Sequence, residues 1–98
     1  MARLWYYAGM EVTSYFERRV LNNPRRVADG ITKELCEWVV ANYHEREQQP
    51  EDNRWRYWAK PEGRRRYLRV IVTEDGTGLF NAFFDESYTV NKEREGSA

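Results

Sequence analysis

The stretch "RWRYWAKPEGRRRYLRV", Arg54 to Val70, gathers seven Lys or Arg, two Trp and two Tyr against a single Glu. Guanidinium groups pair with phosphate or carboxylate oxygens, and flat aromatic rings accept an unpaired base on their faces. Held together on one surface, these residues suit RNA or another single-stranded nucleic acid, and a nearby amide such as Asn81 can hydrogen-bond a base edge. The plainer reading is a solvated sheet face on which Arg and Tyr lie across their neighbours. Composition and periodicity leave both open.

The chain as a whole is neutral, with 16 basic and 16 acidic residues, but the charge is unevenly spread. Residues 51–72 carry a net charge of +4 and residues 73–98 a net charge of −4, while the first fifty residues balance. A local positive field of this kind can attract an anion without making the protein basic.

Two amphipathic helices and then strands must position these groups. In "EVTSYFERRVLNN" the residues Val12, Tyr15, Phe16, Arg19 and Val20 recur at steps of three and four, and Asn22, Asn23 and Pro24 act as a stop. In "DGITKELCEWVVAN" the residues Ile31, Leu35, Trp38 and Val39 share a face, Thr32 is the N-cap, and Glu34 favours the positive helix start. Trp38 and Cys36 read as core. After the polar run "HEREQQPEDN" the period becomes alternating. "RWRYWAK", "RRYLRVIVT" and "LFNAFFDES" read as strands joined by turns at "PEG" and "EDGTG", with Gly76 supplying a positive φ. "YTVNK" is a candidate fourth strand, and the end "NKEREGSA" reads as a polar tail. The opening "RLWYYA" has no clear assignment. The expected fold class is α+β, with two N-terminal helices packed on one face of a three- to four-stranded antiparallel sheet, all in one domain of 98 residues.

Alternation then sorts the side chains. Trp55, Tyr57 and Ala59, with Leu68, Val70 and Val72, form the core side, together with Phe80, Ala82 and Phe84. Arg54, Arg56, Trp58, Tyr67, Arg69, Asn81 and Asp85 take the other side, because burying Arg69 or Asp85 unpaired would cost several kcal/mol.

The run from "SYFERRVL" through "NAFFDES", roughly residues 14–88, resembles small bacterial and archaeal proteins related to the RelE and BrnT toxins. The likeness follows the order "ERRV", "GITKELCEWVV", "RWRYW", "RYLRVIV" and "NAFFD". It implies the barnase–EndoU–colicin–RelE fold and metal-independent cleavage of RNA by attack of the ribose 2′-hydroxyl on the neighbouring phosphate, with a small antitoxin protein as partner. Carried onto this chain, it gives Arg56, Arg69, Tyr67 and Asp85 as the catalytic set. The arginines would bind the phosphate, Tyr67 or Tyr88 would donate or relay a proton, and Asp85 would orient an arginine or accept a proton. Arg54, Trp58, Arg66, Asn81 and Tyr88 would bind RNA. Many relatives carry a His four residues before the Arg of "ERRV"; here that position is Tyr15. A module of the same fold that binds RNA or a protein without catalysis is the alternative.

Other chemistry has little footing. One Cys and one His cannot form a structural zinc site, so no metal or cofactor is expected. "EDGTG" is a hairpin turn, not a phosphate loop. His44 lies in the polar run and reads as a solvated loop residue. No apolar stretch reaches membrane-spanning length, no signal peptide is visible, and the single Cys fits a cytoplasmic protein without a membrane partner. Open edges on a small sheet would admit a homodimer.

Overall fold

A computed structural model describes residues 9–97; the opening "RLWYYA" lies outside them. Five strands form one mixed sheet: β1 Glu11–Val12, β2 Glu45–Gln48, β3 Trp55–Ala59, β4 Leu68–Val72 and β5 Gly78–Phe84. Their spatial order is β1-β5-β4-β3-β2, antiparallel throughout except that β1 runs parallel to β5. There are four helices among the described residues. The first, α1, covers Ser14–Phe16 and continues as a π-helical stretch Glu17–Leu21; α2 is Pro24–Ala28, α3 is Lys33–Ala41 and α4 is Glu86–Ser97.

This corrects the expected arrangement of two N-terminal helices on a three- to four-stranded antiparallel sheet, and each departure has a local cause. Val12 belongs to β1, whose two residues are too few to show a period; Thr13 ends the strand and caps α1, its Oγ1 accepting from Phe16 N–H. Asn23 does stop α1, but its carboxamide oxygen also accepts from Arg25 N–H and Pro24 takes the first helical position, so the stop signal begins α2. The polar run contributes β2, exposed at all four residues. Its backbone pairs with β3 while its side chains reach to both sides. Arg46 lies over the Trp55 ring at 4.9 Å, and Glu47 pairs with Arg56 at 2.8 Å. A charged edge strand resists further strand pairing.

The chain's end differs most from expectation. Neither a strand at "YTVNK" nor a tail is present; α4 spans Glu86–Ser97. No apolar stripe marks it, because the side chains it turns toward the sheet (Tyr88, Thr89 and Lys92) are polar or amphipathic.

The main core lies between the sheet and the helices of the first half. Phe16 and Val20 of α1, Cys36, Val39 and Val40 of α3, and Leu68, Val70 and Val72 of β4 are buried together. Thr32 caps α3 as its type and position suggest, with Oγ1 accepting from Leu35 N–H at 3.1 Å. Trp38, expected in the core, is 38% exposed, since Cys36, Val39 and Val40 supply the inward face of α3 instead.

The alternation of β3 and β4 follows the expected faces, but that of β5 breaks. Val72 pairs with Leu79 and Ile71 with Asn81, so Phe80 is the extra residue of a β-bulge. Leu79 therefore enters the core, fully buried, while Phe80 turns to the opposite face. Leu79→Ala should cost about 2–5 kcal/mol of unfolding free energy. Phe80→Ala should cost less than half as much; urea titrations of both variants check the order, and unbroken alternation would reverse it.

Candidate functional site

The face away from the main core is built around Asp85, which follows β5 directly and is 6% exposed. Its Oδ1 accepts from the backbone N–H of Tyr88 at 3.0 Å, which caps α4. Its Oδ2 accepts from the Trp58 indole N–H at 2.9 Å and from Arg69 Nε at 3.0 Å, and a second Arg69 nitrogen lies 2.9 Å away. The backbone is tied in as well. Asp85 N–H donates to Tyr67 O, Tyr67 N–H donates to Thr89 Oγ1, and that hydroxyl donates to Asp85 O. Burial pushes the Asp85 carboxyl up. The hydrogen bonds from Trp58 and Tyr88 and the Arg69 charge outweigh that and hold it below the usual carboxylate range. Asp85 is thus ionised at neutral pH and orients Arg69.

One turn along α4, Tyr88 stacks on Trp58, with centroids 4.7 Å apart and planes 7° apart. Trp58 is 5% exposed beneath it, where an open ring had been expected. The Tyr88 hydroxyl donates to Glu45 at 2.6 Å, and Lys92 stands 3.5 Å from the same carboxylate. Burial and this acceptor push the phenol well above its ordinary value; the hydrogen bond from Tyr88 and the Lys92 charge lower Glu45, against burial. Tyr88 is a proton donor already in use.

Arg56 and Arg69 do lie on the same face, their guanidinium carbons 5.8 and 5.4 Å from the Trp58 ring. Each keeps about a quarter or a fifth of its side chain exposed, 21% and 25%, so a ligand oxygen can reach both. Arg56 pairs with Glu47, and its Nε is buried with no hydrogen-bond partner among the described residues. Tyr67 stands edge-on to Tyr88 at 5.0 Å, with Lys60 5.7 Å over its ring, and its hydroxyl has no hydrogen bond among the described residues. Asn81 turns to its own backbone, its Oδ1 accepting from Ala82 N–H at 2.9 Å. Arg54 is held by Asp52 at 2.8 Å and lies over Phe80; Arg66 lies over Phe84, beside Arg64. The structure thus brings Arg56, Trp58, Tyr67, Arg69, Asp85 and Tyr88 together and leaves Arg54, Arg66 and Asn81 at the margins.

Three contributors escaped the sequence reading. His44 stands 5.7 Å from Tyr67, beside the Glu45 and Tyr88 pair, so the sole imidazole adjoins this face. The backbone N–H of His44 donates to Trp58 O at 2.7 Å, a bond not legible without β2. Phe83 carries guanidiniums of both Arg26 and Arg69 against its ring, at 5.5 and 5.0 Å. Phe80 was hidden by the bulge.

Among the described residues no group of three or more His, Cys, Asp or Glu is placed to hold a metal, and no helix is long and apolar enough to cross a membrane. Burial pushes the Cys36 thiol up to about 12, which suits a core residue. An open depression of about 640 Å³ lies at the far end of the sheet, lined by Glu11, Glu74 and Asp75 among others, away from the arginines.

Comparison with protein-family models, with curated proteins and with solved structures yields no match in any of the three.

Asp85→Ala should lower stability by about 3 kcal/mol or more, because it uncaps α4 and leaves Arg69 and the Trp58 N–H without their acceptor. The folded-state carboxyl titrates below its unfolded value near 3.9, so its contribution is complete above that pH and is lost as pH falls through the lower folded value. The stability gap between parent and variant, measured by urea unfolding, should therefore be constant from about pH 5 to 7 and close below about pH 4.

Proposed function

We propose that this chain binds RNA on the Arg56 and Arg69 face and cleaves it without a metal, the 2′-hydroxyl attacking the adjacent phosphate. The observation that carries the reading is the pair of arginines, both partly exposed, with their guanidinium carbons 5.8 and 5.4 Å from the same indole ring. Two guanidiniums so spaced suit a phosphate whose charge grows in the transition state. Tyr67 adds a phenol with no hydrogen bond among the described residues. The resemblance to RelE- and BrnT-related toxins points the same way, and with it a cytoplasmic setting and a small antitoxin protein that would cover this face. Asp85 serves in this reading as the positioning residue for Arg69, and proton transfer falls to Tyr67 and its neighbours.

A second reading, an RNA-binding module without catalysis, draws on a specific observation: the Asp85 carboxylate and the Tyr88 hydroxyl are both already occupied. Neither is free to take or give a proton.

Arg56→Ala separates the two better than a change at Arg69, because Glu47 is exposed and survives the loss of its partner, whereas Asp85 is buried and does not. With an end-labelled structured RNA in EDTA, the parent should give products ending in a 2′,3′-cyclic phosphate, and Arg56→Ala should slow cleavage by about 100-fold or more. Binding that weakens with salt but leaves the RNA intact would establish the second reading instead.

A further inference from the structure

Beside the arginine face, α1 and the β5 bulge build a ladder of four planar groups. The Tyr15 ring lies flat on Phe80, with centroids 4.5 Å apart and planes 1° apart. Arg54 covers Phe80 at 3.7 Å, and Arg19, one helical turn beyond Tyr15, covers the tyrosine at 5.3 Å. The two ends differ. Arg54 is anchored by Asp52, but Arg19 is exposed and has no carboxylate partner among the described residues. Arg18 in the same helix and Arg25 at the start of α2 are likewise exposed cations without one among the described residues. Tyr15 is half-buried and its hydroxyl makes no hydrogen bond among the described residues, so the ring contributes its faces. An exposed cation over a ring is weakly held and readily displaced.

We propose that Tyr15 is a stacking site for an unpaired nucleobase of single-stranded RNA. The base takes the place of Arg19 on the ring, and Arg19, with Arg18 and Arg25, turns to the flanking phosphates. Phe80 fixes the plane of the tyrosine from below, so the platform is formed before the ligand arrives and costs little ordering. The inference rests on the RNA reading above and adds to it where a base is held.

Fluorescence anisotropy with a labelled short oligoadenylate tests it, the strand carrying 2′-methoxy groups so that it cannot be cleaved. A strand of the same length without bases serves as the comparison. Tyr15→Leu, which keeps an apolar cover on Phe80, should weaken binding of the base-bearing strand by about 5- to 100-fold, and Tyr15→Phe should stay within about twofold of the parent. Tyr15→Trp should tighten it. All variants should bind the strand without bases as the parent does. Equal binding by Tyr15→Leu and the parent, or an equal loss on both strands, overturns the stacking site while leaving RNA binding intact. A folded parent that binds neither strand overturns the RNA reading, and the stacking site falls with it. Should Tyr15→Leu fail to fold, the order of Trp, Tyr and Phe decides, since a platform requires the widest ring to bind tightest.

Discussion

A single carboxylate holds the second face of this sheet together. Asp85 ends β5, caps α4, accepts the indole N–H of Trp58 and pairs with both nitrogens that Arg69 presents. An ion of that kind under a helix is costly to desolvate, and the cost is offset only because every strong acceptor position has a donor. The consequences run outward from it. Because α4 starts at Asp85, Tyr88 arrives over Trp58; because Tyr88 is there, its hydroxyl reaches Glu45 and fastens β2 to the helix. The outer layer is therefore a polar and aromatic assembly built on one residue, unlike the apolar layer behind the sheet.

That assembly also decides what the arginines can do. Arg69 is fixed by two bonds to a buried anion and presents the rest of its guanidinium in a set direction, while Arg56 has a looser partner in the exposed Glu47. Arginine suits such duty because its planar fork can keep one edge on a carboxylate and offer another to a ligand. The half-exposed rings of Phe80 and Phe83 on β5 and Tyr15 on α1, each with a guanidinium laid against it, extend the same chemistry beyond the Trp58 cluster. In the free protein the cations cover the rings, which keeps a wide aromatic surface from standing bare to water.

Much of the site was legible in side-chain alternation. The faces of β3 and β4 follow from the pattern of Trp55 to Ala59 and Leu68 to Val72, since Arg56 and Arg69 each stand between two residues that belong to the apolar side. Arg56 and Arg69 share a side for that reason. Trp58 was placed on the correct face but not under its cover, because nothing in "ESYTVNKEREGS" has the apolar period of a packed helix. His44 reads from sequence as a loop residue because it opens the polar run before β3, and only pairing with β3 brings it to Tyr67.

The sequence by itself determined the pieces whose stability is local. These are α3 with its Thr32 cap, the turn at Gly76, and the alternating strands whose apolar sides must leave water. Each rests on backbone geometry and on residues close in the chain. Only the tertiary structure decided the mixed sheet with β1 beside β5, the charged edge β2, the bulge that exchanges Leu79 and Phe80, and the helix over Trp58. Those depend on partners tens of residues away and on hydrogen bonds between polar groups, which leave no periodic mark on the chain that carries them.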